Sequence, residues 1–337
     1  MKLFNQIRTI AACSILTGAA ALASTAQAQQ DTERAELSPM SRVPALREQV
    51  RAEGGDDRVF GGTEAAQDAY PFQVALLIAN RLDDSVQSQL NAQFCGGSLI
   101  SPEWVLTAAH CVVDFGAAVP ANSMKVLIGA TALDQGTRFD VAEVIPYPDY
   151  SETTLDHDIA LLRLAQPSDA PTIAMTEAFS PTGAATVIGW GRMDNGSFPV
   201  NLMEADIELT DNAACNAGIK EIYARDLGRI LQTLAPRMRY PEEAVGDATR
   251  AIADTMRDPL TDNMICAGTV DGARDACNGD SGGPLFTEEN GNFVQVGIVS
   301  WGEGPMDASA ACGHANAYGV YTRLANYRGW IGEQMGH

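Results

Sequence analysis

Beyond residue 58 the chain alternates between short apolar runs and turns rich in glycine and proline. The runs are shorter than typical helices, and residues 203–209 alternate strictly between apolar and polar positions, which is the period of a half-buried strand. Strands are predicted at Gln73–Ile78, Trp104–Ala109, Lys125–Ile128, Ile159–Leu164, Ala185–Trp190, Met203–Leu209, Phe293–Trp301 and Gly319–Arg323. Many short strands with turns between them predict an all-β barrel or sandwich.

Two stretches depart from this pattern and predict helices: Asn216–Asp262, which predicts two helices, and the C-terminal residues. Between Asn216 and Asp262, apolar residues recur at helical spacing until Pro236, where the pattern predicts a helix end. A second segment, Pro241–Arg257, begins with proline and two glutamates, as helix starts often do. The last predicted helix covers Asn326–Gln334.

Residues 1–58 differ from the rest of the chain and divide into two parts. Lys2 and Arg8 precede an apolar stretch too short to span a membrane, and Ala26-Gln27-Ala28 supplies a small-residue cleavage site. Residues 1–28 therefore predict a signal peptide rather than a buried helix, and a secreted or periplasmic protein without membrane contact after signal removal. Residues 29–58 are polar and charged, and predict a flexible pro-segment ahead of a domain at 59–337.

Six of the seven cysteines follow the predicted signal peptide. An even number of cysteines in an exported protein predicts three disulfides, although the residues alone do not choose among the pairings. The cysteines are Cys95, Cys111, Cys215, Cys266, Cys277 and Cys312. No pair has C-x-x-C spacing and only four histidines are present, so no metal site is predicted.

The net charge of −21 excludes one class of partner. Residues 1–58 carry seven basic and seven acidic side chains, so the remaining 15 basic and 36 acidic residues hold the whole charge. Phosphate binding needs a basic surface, so nucleic acid is not expected as a partner. An acidic surface attracts basic peptides, although high net charge also serves solubility alone.

The most informative run is Gly279-Asp280-Ser281-Gly282-Gly283-Pro284. A serine hydroxyl is a weak nucleophile at neutral pH and needs a base for its proton and donors for the oxyanion. Flanking glycines allow a tight turn that exposes the serine and aims backbone N–H groups inward. Taken alone, the run is also compatible with an ordinary glycine-rich turn.

Two further runs supply the partners that Ser281 needs. TAAHC ends an apolar strand with His110, and DHDIALL places carboxylates before another apolar strand. Each alone is typical of a structural residue, but the order histidine, aspartate, serine predicts nucleophilic catalysis. Asp156 and His157 are alternatives to Asp158, which we prefer because it directly precedes IALL.

Together these runs resemble the motif blocks of the trypsin-like (chymotrypsin-fold) serine peptidases, in that family's chain order. The resemblance extends from Val59 to about Trp330 through PFQV, CGGSLI, VIGWG, MICAG, VSWG and GVYT. It implies two antiparallel six-stranded β-barrels, at about 59–170 and 171–325, with the active site between them and a C-terminal helix at about 326–334. The expected function is that of a serine endopeptidase made as a zymogen, with protein or peptide substrates and proteinaceous inhibitors as partners.

The resemblance also assigns catalytic roles. His110 is the general base and later the general acid, Asp158 orients it, and Ser281 attacks the peptide carbonyl to form an acyl-enzyme. The backbone N–H groups of Gly279 and Ser281 form the oxyanion hole. An esterase or lipase is disfavoured, because its chain order would be serine, acid, histidine.

Activation is expected at the junction between Arg58 and Val59. Cleavage there would free an amine that turns inward and pairs with Asp280, ordering the oxyanion loop. Phe60 departs from the family pattern because it is bulkier than the usual second residue of the new chain. Cleavage after an arginine makes self-activation chemically feasible, but Asp56 and Asp57 beside it would slow attack by an acidic enzyme.

Specificity for arginine or lysine is implied by Asp275, six residues before the nucleophile, at the expected base of the specificity pocket. A buried carboxylate needs a cationic partner, which a substrate side chain would supply. Other expected substrate-binding residues are Ser300, Trp301, Gly302 and Gly319. Ala276 lacks a hydroxyl found there in many trypsins, so arginine is expected to be preferred over lysine.

The resemblance further implies the disulfides Cys95–Cys111, Cys215–Cys266 and Cys277–Cys312. No cofactor is implied, apart from a sodium site that Tyr318 permits in this family. Three loops, Ala79–Phe94, Asn216–Asp262 and Pro305–Ala311, are longer than usual and predict either narrow substrate preference or tolerated insertions. The alternative function is a catalytically idle binding protein on the same fold, although the triad residues are all present.

Overall fold

The computed structural model describes residues 38–53, 62–178, 180, 182–193, 196–306 and 312–336. The expected all-β class is confirmed, because these residues form two closed antiparallel barrels of six strands each. The predicted signal peptide and the junction between Arg58 and Val59 lie outside the described residues. Within the described part of the chain, no helix has the length and apolar character needed to cross a membrane.

The strands of the described residues, in chain order, are β1 (Thr63–Glu64), β2 (Gln73–Ile78), β3 (Gln93–Ser101), β4 (Trp104–Thr107), β5 (Val113–Asp114), β6 (Ala117–Ala118), β7 (Met124–Ile128), β8 (Thr137–Pro146), β9 (Ala160–Leu164), β10 (Ala174–Met175), β11 (Gly183–Gly189), β12 (Met203–Thr210), β13 (Met264–Gly268), β14 (Pro284–Glu289), β15 (Asn292–Trp301) and β16 (Gly319–Arg323).

The first barrel closes in the order β2-β3-β4-β9-β8-β7, and the second in the order β12-β11-β14-β15-β16-β13, with β12 paired to β13. Burial alternates along β12, so its apolar residues point into the second barrel and its polar residues point outward. β4 ends at Thr107, two residues before the predicted end, because Ala109–Cys111 form a 3₁₀ turn. This turn carries His110, whose backbone N–H bonds the Asp158 side chain instead of a neighbouring strand.

Aromatic side chains fix the two barrels against each other. Tyr70 and Phe72 precede the first barrel, and Phe286 and Phe293 come from the second, with ring centroids 5.1 to 6.1 Å apart. Edge-to-face and tilted aromatic pairs of this kind add stability beyond their buried area. These contacts join the two barrels, between which the cleft lies.

Five α-helices are described: α1 (Pro39–Glu53), α2 (Gln87–Ala92), α3 (Asn212–Met238), α4 (Glu242–Ala253) and α5 (Arg328–Met335). The predicted helical insertion is present as α3 and α4, but its predicted bounds are wrong. α3 passes Pro236 and ends at Met238, because the N–H of Arg239 caps the last carbonyls. α4 is shorter than predicted, since Pro241 is its N-cap and the chain leaves the helix after Ala253.

The N-terminal helix α1 corrects the prediction of a flexible segment over residues 29–58. Val43 and Arg47 are 2% and 4% exposed, so one side of this helix is packed against the domain. Composition did not indicate the helix because its buried face is short and includes an arginine. Part of the segment before the domain is thus an ordered element of the fold.

Candidate active site

His110 and Asp158 meet in the cleft, as predicted. The Nδ1 atom of His110 lies 2.7 Å from Oδ2 of Asp158, and the His110 backbone N–H donates to Oδ1 over 2.8 Å. Asp158 is fully buried and also accepts a hydrogen bond from the Ser300 hydroxyl. Three donors satisfy the buried carboxylate, so it holds Nδ1 protonated and leaves Nε2 as a proton acceptor.

The alternative residues beside Asp158 do not reach His110. The Asp156 carboxylate accepts hydrogen bonds from Thr261 over 2.8 Å and from Asn263 over 3.1 Å. The ring of His157 stacks on Tyr147 instead. Geometry therefore favours Asp158, because only its carboxylate, among these neighbours, contacts the His110 ring.

Ser281 is held in the cleft by contacts between the barrels. Its carbonyl accepts a 2.7 Å hydrogen bond from the N–H of Gly96 in β3. The next residue, Gly282, has φ of +82°, and a Cβ there would lie 2.2 Å from the Thr107 hydroxyl. Only glycine allows both this backbone conformation and this approach. Ser281 and His110 line the same cavity, although no hydrogen bond joins their side chains among the described residues.

A hydrogen bond from Arg192 orients the backbone of Gly279, the residue predicted for the oxyanion hole. The carbonyl of Asn278 accepts a 2.8 Å hydrogen bond from the N–H of Arg192. Because a trans peptide points its N–H opposite to its carbonyl, the N–H of Gly279 is directed away from Arg192. Gly279 has φ of +104°, a conformation open to glycine, and it lines the cavity with Ser281.

The carboxylate of Asp280 is held by backbone hydrogen bonds, one of them from its own loop. Its carboxylate accepts hydrogen bonds from the N–H of Gly191 over 2.7 Å and of Cys277 over 2.9 Å. Burial raises the pKa of Asp280 to about 6, while these two donors and the charge of Arg47 act in the opposite direction. Val59, its expected partner after cleavage, lies outside the described residues.

Asp275 lies in the wall of the same cavity, whose volume is about 590 Å³. Burial raises the pKa of its carboxyl to about 8, although the N–H groups of Ala276 and Gly313 hydrogen-bond to it. Among the described residues no cation pairs with it. The carboxyl therefore offers a site for a cation that enters from the cleft.

Glycines shape the walls above Asp275. A Cβ at Gly319 would lie 2.4 Å from Oδ1 of Asp275, so a side chain there would displace the carboxyl. A Cβ at Gly302 would meet no atom within 4 Å, which leaves this wall open for a long substrate side chain. Ser300 and Trp301 both line the cavity, and the hydroxyl of Ser300 donates to the carboxylate of Asp158.

All three predicted disulfides are confirmed, and the second of them fixes the insertion. Cys95–Cys111 lies beside His110, Cys215–Cys266 ties α3 to β13, and Cys277–Cys312 braces the wall of the cavity. The side-chain atoms of Cys95, His110 and Cys111 lie within 4.8 Å of one another, as metal ligands do. Because both sulfurs are bonded to each other, they offer no thiolate, and this group is not a metal site.

The insertion has a contact that its sequence did not indicate. The hydroxyl of Tyr223 in α3 donates to Glu303 over 2.7 Å, and Asp226 accepts from the N–H of Met306 over 2.9 Å. Glu303 also lines the cavity. The helical insertion thus supports one rim of the cavity rather than lying apart from it. Residues 307–311, in the third long loop, are outside the described residues.

Comparison with known proteins agrees with this geometry. The trypsin family profile matches residues 59–331. The chain is 30% identical to trypsin-3 of Salmo salar over 83% of this chain and 94% of that protein. It is 32% identical to tryptase of Mus musculus over 86% of this chain and 94% of that protein. Vitamin K-dependent protein C of Mus musculus is also 32% identical, but the chain spans about half of it, 52%.

Proposed function

The chain belongs to the trypsin family and is a serine endopeptidase, and we propose that it is exported as a zymogen and cleaves proteins after arginine or lysine. Protein substrates follow from the family. Export is supported by the three-part signal sequence in residues 1–28, and zymogen synthesis by the run that ends at Arg58. Proteinaceous inhibitors that present an arginine or lysine would enter the same cleft.

The proposed mechanism assigns each step to an atom of the cleft. Nε2 of His110 takes the hydroxyl proton of Ser281 as Oγ attacks the substrate carbonyl carbon. The oxyanion is held by the N–H groups of Gly279 and Ser281, and each such donor contributes about 3–4 kcal/mol to transition-state stability. His110 then protonates the leaving amine, and water resolves the acyl-enzyme by the same path. Asp158 keeps the imidazole oriented and balances its charge.

One observation carries the specificity: the carboxyl of Asp275 shares a cavity with His110 and Ser281. Burial disfavours the ionised form of this carboxyl, and a substrate arginine or lysine would supply the counter-charge that stabilises it. A neutral or acidic side chain would leave the carboxyl without a partner. Cleavage after basic residues is therefore the preference that this cavity supports best.

Matched peptide substrates with Arg, Lys or Phe before the scissile bond test the proposal. We expect hydrolysis of the Arg and Lys substrates, dependence on Ser281, and little hydrolysis of the Phe substrate. Preference for Phe would refute the specificity, and equal rates in wild type and Ser281→Ala would refute the mechanism. Because Ala276 provides no hydroxyl for a lysine ammonium, Arg is expected to exceed Lys, and equal efficiency would exclude this preference.

Activation is tested through Asp280 and the junction. The variant Asp280→Asn should fold but be nearly inactive after cleavage, because the amide cannot balance the ammonium of Val59. N-terminal sequencing of active enzyme should read Val59 first. A Ser281→Ala precursor that is processed as fast as wild type would show that another peptidase performs the cleavage.

We propose that sodium binds near Tyr318, which directly precedes the cavity-lining residue Gly319. The Tyr318 ring packs against Gly268, where a Cβ would lie 3.1 Å from the ring. Replacing sodium chloride with choline chloride at constant ionic strength should lower the rate if sodium binds. Equal rates in the two salts would exclude the site.

A further inference from the structure

Helix α1 presents one face to the domain. Met40, Val43, Pro44 and Arg47 share this face at helical spacing, and all four are buried or half-buried. The opposite positions, including Glu48, are exposed. The helix therefore docks through a defined stripe and is not a loosely attached segment.

Arg47 is the centre of this contact. Its guanidinium donates to Oε1 of Gln93 and, over 3.2 Å, to the carbonyl of Trp190. It also lies 4.3 Å above the centre of the Phe198 ring. A buried guanidinium is costly unless several such partners replace water. The domain thus provides a built site for this one side chain.

The same site is linked to the oxyanion loop. The amide Nε2 of Gln93 donates to the carbonyl of Gly279 over 2.9 Å, while its Oε1 accepts from Arg47. The charge of Arg47 also acts on Asp280 in that loop. Asp280 is the residue proposed to receive the ammonium of Val59. Arg47 therefore places a cation near Asp280 before that ammonium exists.

The first turn of α1 reaches the catalytic cavity. Ser38, Pro39, Arg42 and Val43 line the same cavity as His110, Ser281 and Asp275. A Cβ at Gly279 would lie 3.6 Å from Cγ1 of Val43, which places the helix directly against the oxyanion loop. A substrate chain that extends along this wall would meet the helix.

The helix depends on its docking site. Pro44 lies inside α1, where proline removes a backbone hydrogen bond and costs about 3 kcal/mol. Isolated helices of this length are marginal even without proline. Contacts with the domain must therefore supply most of the stability of the helical conformation, which makes helix formation and binding one event.

We propose that the face formed by Gln93, Trp190, Phe198 and Gly279 is a binding site for the segment 39–53, and that this segment remains bound as a non-covalent inhibitor after cleavage at Arg58. This inference rests on the proposed activation cleavage. Cleavage of the chain alone does not open the cleft, because the contacts of Val43 and Arg47 lie upstream of the cut. Full activity requires that the segment also dissociate.

The test uses the full precursor with residues 54–58 replaced by the recognition sequence of a highly specific processing protease that leaves Val59 as the new N-terminus. After cleavage, size-exclusion chromatography with mass spectrometry should find the segment in the same peak as the domain. Hydrolysis of an Arg substrate should be at least tenfold slower in this peak than after the segment is removed. Added synthetic segment should restore the inhibition.

Two variants test whether inhibition depends on the contacts of Arg47 or on nonspecific binding of the segment. Arg47→Met should weaken inhibition by the segment at least tenfold, because Gln93 and Trp190 lose their buried donor. Glu48→Gln is the matched control, since its ion pair with Arg81 is exposed and contributes little; its inhibition should stay within about twofold. Because both variants are also made as synthetic segments added to wild-type domain, a folding defect of the precursor does not obscure the result.

The outcomes distinguish this inference from the proposed function. If the separated domain cleaves Arg substrates and neither the released nor the added segment slows it, the inference is wrong and the function stands. Equal inhibition by the wild-type and Arg47→Met segments would also overturn it. If the segment co-elutes with a domain that hydrolyses nothing once separated, the binding site stands and the proposed function fails.

Discussion

Replacing Asp275 with asparagine removes the ionisable carboxyl from the wall of the cavity while keeping the shape of the side chain. A substrate guanidinium would then be buried without a counter-charge, and breaking a buried pair costs about 3–5 kcal/mol. This cost corresponds to a loss of roughly 10²–10⁴ in kcat/KM for Arg substrates. A citrulline substrate, which is the neutral isostere of arginine, should lose little.

The raised pKa of Asp275 adds a pH dependence with a definite sign. Its carboxyl keeps its proton to about pH 8 when the cavity is empty, so a cationic substrate must displace that proton at lower pH. The ratio of kcat/KM for Arg to that for citrulline should therefore rise with pH and level off above about 8. Taking this ratio cancels any pH effect that acts equally on both substrates.

Stability gives an independent measurement of the same group. The folded pKa is raised from 3.8 to about 8, so the native state holds the proton more tightly than the unfolded chain. The resulting stabilisation is full below the unfolded pKa and is lost as the pH rises towards 8. This shift corresponds to a destabilisation of the folded state by at most about 4 kcal/mol at pH 7.

We therefore expect Asp275→Asn to raise the free energy of unfolding by about 1–3 kcal/mol at pH 7 and to leave it unchanged near pH 4. Denaturant unfolding of the precursor at the two pH values measures this difference. An Asn variant with wild-type efficiency on Arg substrates and unchanged stability at pH 7 would refute the reasoning, because it would show that the carboxyl is solvated.

Three further predictions concern the same cleft. Gly319→Ala should reduce kcat/KM for Arg substrates about tenfold to a hundredfold, mostly through KM, because the added Cβ would displace the carboxyl of Asp275. The control is Gly329→Ala, which should keep the wild-type KM because no atom lies within 4 Å of the added Cβ. Ser300→Ala removes one of the three donors to the Asp158 carboxylate. It should lower kcat by roughly ten- to a hundredfold with KM unchanged, since hydrogen bonds to charged groups are worth about 1.5–3 kcal/mol. An unchanged kcat would exclude a role for this hydrogen bond in positioning Asp158. Replacing Cys215 and Cys266 by alanine opens a loop of 51 residues and should cost about 4 kcal/mol in urea unfolding; a loss below about 1 kcal/mol would contradict it.

The strand pattern was predictable because its signal is local. The bounds of β2 and β16 agree with the apolar runs at Gln73–Ile78 and Gly319–Arg323, and β12 differs by one residue from the alternating run. The predicted ends of an element were wrong where a contact with residues distant in the chain changed the local backbone conformation. The predicted strand at Trp104–Ala109 ends early, because Asp158 captures the N–H of His110 and turns the chain.

The sequence by itself determined which residues are candidates for chemistry: a serine between glycines, a histidine, an aspartate before an apolar strand, and an acidic residue six positions before the serine. Those motifs are short, and each depends on backbone conformation or side-chain type within a few residues. The sequence favoured Asp158 over Asp156, but only the tertiary structure shows that Asp158 contacts His110. It alone also shows that α3 supports the rim of the cavity and that Arg47 is buried beside the loop that carries Gly279. The reason is physical: burial of a polar side chain depends on partners distant in the chain, and no local pattern of hydrophobic and polar residues records them.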